Sequence, residues 1–415
     1  MAGSTKTSRK AARYAVPVAV AGVAAATVAM VPAFANAGSP DLPKITAQQL
    51  IEKIAASDVQ QLSGTARVTT DLGLPKIASG LLGGAGMTGG SAAPEDKLAQ
   101  LASGSHTFKV AADGPDRQKV TFLDGKDEYS LVHNGADVWG YDSKSDEVFH
   151  EKDPYAGQGE KGKGGKDGKS GKEHKTADRM PTTPQQFAEE ALKAAGPTTE
   201  VSVGESAQVA GRDAYQLVLK PKQAGSTVGS VQIAVDAKNG VPLRFQLLSS
   251  QGGKPIVDAG FTKVDFAAPA AGTFDFTPPK GAKITEGGGE HRAGDHAGKD
   301  ADKGFKGLEM LPGFDGLAGA GGKGGETKVI GEGWSTIARI DSGTGKGLKE
   351  LENDKNAPKQ AKDFLSSLGE KVSGSFGEGR VLSTRLVNAL VTDDGKVYVG
   401  AVTKDALVKA AEANK

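Results

Sequence analysis

Alternating apolar and polar positions predict that most of this chain forms antiparallel β-sheet. Residues 105–150 contain short stretches rich in β-branched and aromatic side chains, separated by the turn signals Gly114-Pro115-Asp116, Asp124-Gly125 and Asn134-Gly135. Asp-Gly and Asn-Gly favour tight hairpins because both central positions need positive φ, which these residues tolerate best. The segment is therefore predicted to be a meander of antiparallel strands.

A second meander is predicted over residues 200–276, after a first strand at 61–74. Alternation places one set of side chains on an apolar face, namely Tyr215, Leu217, Leu219, Val231, Ile233, Val235, Leu243, Phe245 and Leu247. The opposite face carries Gln216, Lys220, Gln232, Arg244 and Gln246. Asn239-Gly240 connects two of these strands as a hairpin.

Helical periodicity occurs in two short segments before residue 200. Residues 44–57 form an amphipathic pattern that Thr46 can cap, and residues 184–195 form another that Thr183 can cap. A sheet with one apolar face must bury that face, and two short helices cover little of it. The pattern therefore predicts an apolar sheet surface larger than its helical cover.

Three segments break these patterns by their composition. Residues 79–93 are rich in Gly and small side chains, residues 152–178 are rich in Gly and Lys, and residues 286–325 are rich in Gly, Asp and His. Such segments bury too little apolar surface to offset the entropy of ordering them. We interpret the first two as flexible insertions in the main domain, 38–285, and the third as a linker.

A smaller α+β domain is predicted over residues 326–415. Its pattern indicates a strand within 326–341, a helix over 358–372 and a hairpin within 380–402 that turns at Asp394-Gly395. A final helix follows, capped by Thr403.

The N-terminus has the pattern of an export signal. Four basic residues and no acid occur in the first 13 residues, and an uncharged apolar run follows from Ala15 to Val31. Overlapping Ala-x-Ala sites end at Ala37, which predicts a signal peptide over 1–37 and an extracytoplasmic location, either in the cell envelope or secreted. The alternative is an uncleaved membrane anchor, because the apolar run is close to the short limit for a transmembrane helix.

Composition excludes several kinds of chemistry. The 415 residues include no cysteine, so neither disulfides nor thiolate metal sites nor a lipid-modified cysteine can form. Fifty-one basic residues against 50 acidic ones give a net charge of +1, which argues against a general attraction to nucleic acid.

No motif predicts an enzyme. The sequence contains no Gly-x-Ser-x-Gly, HExxH or Walker A motif. His291, Asp295, His296 and Asp300 have suitable donor atoms for a metal but lie in the polar linker, where nothing fixes their geometry. We therefore predict no catalytic residues, no metal and no cofactor.

The order of these parts resembles the LolA-like superfamily, which includes outer-membrane lipoprotein carriers and the MucB/RseB regulators of envelope-stress sigma factors. The resemblance covers about residues 40–285, and it is carried by ITAQQLIEKI, PQQFAEEAL, AGRDAYQLVLKPK, VDAKNGVPLRFQL, GFTKVDF and FDFTPPKGAKI. The segment GRVLSTRLVNALVTDDGKVYVGAV resembles the small extra domain of actinobacterial MucB/RseB-like proteins.

This resemblance implies an α+β fold in which a curved antiparallel half-barrel, covered by helices, accepts acyl chains on its concave face. The implied ligand is a lipid or a lipoprotein acyl chain. The alternative is a regulator that binds a membrane-embedded anti-sigma protein. The residues that we predict to line the apolar face are Phe108, Val110, Phe122, Trp139, Tyr215, Leu217, Leu219, Val231, Ile233, Phe245 and Leu247.

Overall fold

The structure of the protein, a computed structural model, describes residues 40–73, 92, 104–152, 192–193, 195–287, 327–341 and 369–414. Several predicted segments lie outside these residues. They are the export signal, the 79–93 insertion apart from Ala92, the 152–178 insertion after Lys152, and the linker after Gly287. Most of the two helices predicted over 184–195 and 358–372 also lies outside them.

The larger of two β-sheets contains the first predicted meander, which the structure confirms. The strands that form this part of the sheet are β1 Gln61–Thr70, β2 Gly104–Asp113, β3 Arg117–Asp124, β4 Asp127–Asn134, β5 Asp137–Asp142 and β6 Glu147–Lys152. Each pairs antiparallel with the next in chain order.

The second meander continues the same sheet. Its strands are β7 Thr199–Val203, β8 Ala207–Val209, β9 Arg212–Pro221, β10 Val228–Asp236, β11 Pro242–Ser249 and β12 Val257–Asp265. Strand β12 pairs with β1, so the two meanders join into one curved sheet at the middle of the strand order β13-β6-β5-β4-β3-β2-β1-β12-β11-β10-β9-β7. The sheet is open, because β7 and β13 lie at opposite ends of that order.

Strand β13, Lys283–Glu286, was not predicted. It pairs parallel with β6, whereas the other pairs of the sheet are antiparallel. Four exposed residues give no alternation signal, and their partners lie 136 residues earlier in the chain. A local pattern cannot report such a pairing.

The predicted hairpin turn at Asn239-Gly240 is present. Gly240 has φ +77, and its backbone lies against Lys53 of the first helix. A Cβ at this position would collide with the Lys53 carbonyl oxygen, so glycine is required both by the turn and by the close approach of the helix.

The smaller sheet has the strand order β14-β15-β19-β18-β17-β16. Its strands are β14 Thr327–Ile330, β15 Ile337–Asp341, β16 Glu370–Gly374, β17 Gly377–Leu382, β18 Asn388–Thr392 and β19 Lys396–Gly400. The hairpin predicted at Asp394-Gly395 is confirmed as the turn between β18 and β19.

Two predictions for residues 326–415 were wrong. The single strand expected within 326–341 is a hairpin, because Gly331 and Gly333 have φ +78 and +57 and a short 3-10 helix, Gly333–Ser335, follows. Residues 370–372, expected at the end of a helix, belong to β16, where Glu370 and Lys371 pair with Val381 and Arg380.

Two α-helices occur at predicted positions within the described residues. Helix α1, Ala47–Ala55, begins after Thr46, whose hydroxyl accepts a hydrogen bond from the Gln49 N–H while the Gln49 side chain accepts one from the Thr46 N–H. Helix α2, Lys404–Ala413, begins after Thr403, whose side chain caps the Ala406 N–H. Helix α2 buries Leu407 and Ala411 against the smaller sheet.

Residues around the smaller sheet contact the larger sheet by direct hydrogen bonds at β7, at the turn between β9 and β10 and directly after β1. The Trp334 indole donates to the Thr199 hydroxyl at 2.7 Å, and the Thr403 N–H donates to the Gly225 carbonyl at 2.7 Å. Arg385 bonds the Asp71 carboxylate at 2.6 Å. The neighbouring Leu386 is 3% exposed and packs in the main core of the larger domain.

Candidate functional site: the apolar face of the larger sheet

Strand register aligns the apolar side chains of the second meander on one face of the sheet. Leu217 pairs with Ile233, which pairs with Phe245 on the next strand. Phe245 pairs in turn with Ala259 of β12, and Ala259 pairs with Val68 of β1. Side chains of directly paired residues point to the same side, so this row is continuous across five strands.

The first meander extends the same face. Leu62 of β1 pairs with Ala112 of β2, and alternation along β2 then brings Val110 and Phe108 to that side. Phe108 pairs with Phe122, with ring centroids 5.4 Å apart. We call this surface the apolar face. Its members on the best defined rows are Phe108, Val110, Val120, Phe122, Leu62, Val68, Ala259, Val257, Leu247, Phe245, Val231, Ile233, Leu219, Leu217 and Tyr215.

Ten of the eleven residues predicted to line the apolar face lie on it, and Trp139 does not. Trp139 pairs with Val132, and Val132 pairs with Lys119, which places all three on the opposite side from Val120 and Phe122. Its indole instead stacks on the His150 ring, with centroids 3.8 Å apart and an interplanar angle of 16°. In the sequence Trp139 is flanked by Val138 and Gly140, so alternation alone did not show which neighbour faces the apolar side.

Helix α1 covers one end of the apolar face. Leu50 is fully buried and packs with Leu217 and Val235. Around it Tyr215 and Ile233 remain partly exposed. The helix contacts β7 and β9, at the far end of the strand order from β2 and β3.

Burial differs between the members of this face. Phe108, Phe122, Leu217, Val231 and Leu247 are at most 9% exposed. The partly exposed members are Val110, Tyr215, Leu219, Ile233 and Phe245. These five offer hydrocarbon and aromatic surface that the protein itself does not fully bury.

Strands β1 and β12 contribute residues that the sequence reading did not select. Val68 is 1% exposed and Phe261 is 6% exposed. Thr262 is an extra residue in β12, because Ala66 pairs with Phe261 and Thr65 with Lys263. This bulge shifts the alternation in GFTKVDF, so a strict period of two cannot assign the whole strand to one face.

Tyr129 of β4 was also missed. It pairs with Phe122 and is partly buried. Its hydroxyl donates to the Ala92 carbonyl at 2.9 Å, which places the Ala92 backbone against this end of the apolar face. Only the tertiary contact with Ala92, 37 residues away, identifies the role of this side chain.

The polar side chains predicted for the opposite face lie there on β9, β10 and β11. Arg244 donates to both carboxylate oxygens of Asp258, at 2.8 and 2.5 Å, and Gln246 donates to the same group at 3.1 Å. Gln216 donates to Gln232 at 2.7 Å. These side chains satisfy one another, which leaves the apolar face as the unusual surface of this part of the sheet.

The chemistry available on the apolar face is burial of hydrocarbon, since aliphatic and aromatic side chains make up the rows. Within the described ranges no group of three or more His, Asp or Glu side chains is placed to hold a metal. No helix among the same residues has both the length and the apolar character needed to cross a membrane.

Comparisons with known proteins give structural likenesses alone. No family model matches the chain, and no curated protein matches it. A structure of the Pseudomonas aeruginosa MucA/MucB complex is 14% identical, covers 88% of this chain and 96% of that one, and has a TM-score of 0.36. A LolA superfamily protein from Nitrosomonas europaea is 11% identical, covers 56% of this chain and 99% of that one, and has a TM-score of 0.21.

An uncharacterized conserved protein from Thermus thermophilus is 11% identical, covers 58% of this chain and 98% of that one, and has a TM-score of 0.31. Both groups named in the sequence resemblance are thus represented among the similar structures.

Proposed function

We propose that this protein is an exported, non-enzymatic binding protein that holds a lipid or a lipoprotein acyl chain against the apolar face, as a carrier or as an envelope sensor. One observation carries the proposal. The open sheet presents partly exposed apolar side chains on adjacent strands, and helix α1 covers one end of them.

The energetics favour a long hydrocarbon ligand. Each methylene buried contributes about 0.8 kcal/mol, so an acyl chain gains affinity in proportion to the length that contacts the sheet. Tyr215, Leu219, Ile233 and Phe245 form adjoining positions on β9, β10 and β11 where such a chain would lie. In this proposal residues 38–285 form the binding domain and residues 326–415 form a second domain.

Adjacent residues on opposite faces allow a matched test. Ile233 belongs to the apolar face, whereas Gln232 points to the polar face. We expect Ile233→Asn to weaken binding of a fluorescent 16-carbon fatty acid by at least about tenfold, since one buried aliphatic side chain is worth about 1.5–3 kcal/mol. Gln232→Asn serves as the control and should bind as the unmodified protein does.

A second variant and a folding measurement distinguish a loss of binding from a loss of folding. Phe245→Gln places an amide on the same row one strand away, and circular dichroism should show that each variant retains its sheet. Native mass spectrometry of protein from its own envelope should then show a bound lipid on the unmodified chain. Equal fatty-acid binding by all variants, with no lipid in the native spectrum, would contradict the proposal.

A second candidate is a regulator that binds a membrane-embedded anti-sigma protein. The observation that favours it is the smaller sheet, which Trp334, Arg385 and Thr403 attach to the larger one and which adds a second surface for a protein partner. Cross-linking in envelope extracts tests this candidate. Recovery of bound lipid but no membrane protein would count against regulation and leave the carrier role.

A further inference from the structure

A buried histidine lies outside the proposed binding site, on the side of β6 opposite the apolar face. His150 is 8% exposed and lies under the indole of Trp139. Its Nδ1 is 2.8 Å from Glu286 Oε2 of β13, and its Nε2 is 2.9 Å from Asp137 Oδ1 of β5. The ring therefore joins β5 to β13 through two carboxylates.

Only a protonated ring can donate to both carboxylates at once. A neutral imidazole has one N–H donor and one acceptor nitrogen, so it can donate to one carboxylate alone. The imidazolium has two donors, and hydrogen bonds between charged groups are about twice as strong as neutral ones. The face of an indole also favours a stacked cation.

Strand β13 is held by its backbone ladder with β6 and by few buried side chains. All four of its residues are exposed, including Ile284 at 50%. Beside the ladder with β6, Lys283 pairs with Glu147 at 2.7 Å, and the Gly287 N–H donates to the His150 carbonyl at 2.7 Å. Backbone hydrogen bonds hold the strand on β6, and the contact of Glu286 with the buried His150 ring is one of its few side-chain attachments.

We propose that His150, Glu286 and Asp137 form a pH-sensitive latch that seats β13 on β6 while the histidine is protonated and releases it when the proton is lost. Deprotonation leaves one carboxylate facing a nitrogen lone pair, which turns an attraction into a repulsion. Histidine is the side chain that ordinarily changes charge between about pH 5 and 8. Strand β13 is the last strand of the larger sheet along the chain, so the latch controls whether the end of that sheet stays attached.

The other charged groups set the acidic limit of the latch. Asp137 also accepts a hydrogen bond from Lys152 Nζ at 3.0 Å. The bonds from His150 first, and from Lys152 second, hold the pKa of the Asp137 carboxyl below its ordinary value. Asp137 therefore stays ionised into acid, and its contribution is lost as the pH falls through that lowered pKa.

Hydrogen exchange of the full-length protein tests the latch. The amide exchange rate of the peptide that spans Lys283–Gly287 is measured at about pH 5.5 and about pH 8.5. The exchange rate of a peptide from β10 is the reference, which corrects for the intrinsic pH dependence of amide exchange. We expect protection of β13 to fall about tenfold at the higher pH, because the hydrogen bond between the charged groups is lost. The ¹⁵N spectrum of labelled histidine should show both His150 nitrogens protonated at the lower pH.

Three variants separate the latch from general stability. Glu286→Gln alters an exposed carboxylate and should remove most of the pH dependence without unfolding the sheet. His150→Gln should give weak protection of β13 at both pH values. His133→Gln, which changes a histidine on neighbouring β4, is the control and should retain the full pH dependence.

Two results would overturn the latch. One is a β13 protection ratio that is the same at both pH values in the unmodified protein. The other is a pH dependence that survives in both Glu286→Gln and His150→Gln.

Discussion

Single residues decide how the hairpin between β10 and β11 is built. Asp236 is 1% exposed, and its carboxylate accepts hydrogen bonds from the N–H groups of Lys238 and Asn239, at 2.8 and 3.0 Å, and from Arg212. Burial raises the pKa of this carboxyl, but the hydrogen bonds from Arg212 and from the two N–H groups outweigh it and lower the pKa below its ordinary value. The Asn-Gly turn was predictable, whereas the contact with Arg212 was not.

Asp236→Ala is expected to lower the free energy of unfolding by about 3 kcal/mol at pH 7, because a partly buried guanidinium and two N–H groups lose their acceptor. A lowered folded-state pKa stabilises the protein above the ordinary value, and that stabilisation is lost as the pH falls through the lowered one. The difference between variant and unmodified protein should therefore shrink below about pH 4.

Urea unfolding at pH 7 and below about pH 4 measures the free energy of unfolding of the variant and of the unmodified protein. Asp213→Ala, an exposed carboxylate on the neighbouring strand, is the control and should change the free energy of unfolding by less than about 0.5 kcal/mol. If the difference in free energy of unfolding between Asp236→Ala and the unmodified protein grows in acid, the lowered pKa of Asp236 is contradicted.

Two Asn-Gly turns provide a comparison of backbone strain with close packing. Gly135 and Gly240 have φ +65 and +77, but a Cβ on Gly135 meets no atom within 4 Å whereas one on Gly240 meets the Lys53 carbonyl. Gly135→Ala should cost about 1–2 kcal/mol for the left-handed backbone. Gly240→Ala should cost about 1–3 kcal/mol more, because helix α1 must shift. Thermal unfolding compares the two, and equal costs would show that α1 yields freely.

At the scale of elements, the predicted helix α1 and the predicted hairpins are present in the structure, because their local sequence signals agree with the fold. Thr46 and Gln49 form the capping box that begins α1. The errors occurred where a local pattern was ambiguous, as in the segment before Ile337, where two glycines with positive φ make a hairpin from an expected single strand.

Packing of α1 on the sheet is expected to depend on Leu50. Leu50→Ala should lower the free energy of unfolding by about 2–5 kcal/mol, because its side chain is fully buried against Leu217 and Val235 and leaves a cavity. Denaturant unfolding measures the loss. Glu52→Ala, which removes a bond between two side chains of the helix itself, is the control and should cost less than about 0.5 kcal/mol. Equal effects would show that α1 does not pack as described.

At the scale of the whole molecule, the two sheets are coupled by contacts between loops. Leu386 enters the core of the larger domain, and its backbone carbonyl accepts a hydrogen bond from the buried Thr227 hydroxyl. Arg385 adds bonds to Asp71 and to the Lys254 carbonyl. We infer that the domains unfold together.

Leu386→Ala is expected to weaken this coupling. It should lower the stability by about 2–5 kcal/mol and separate one calorimetric transition into two, because the side chain that joins the domains is removed. Lys371→Ala on the exposed edge strand β16 is the control and should leave a single transition. Two transitions in the unmodified protein would contradict the coupling.

By itself the sequence determined the strands and hairpin turns of the two meanders and placed ten of the eleven selected side chains on one face, because alternation and turn chemistry are local and repeat along each strand. The tertiary structure decided the pairing of β1 with β12, the bulge at Thr262 and the parallel strand β13. It also placed Trp139 on His150 rather than on the apolar face. These features depend on partners distant in the chain, and the physical reason is that register, unlike alternation, is fixed by the sum of contacts across the whole sheet.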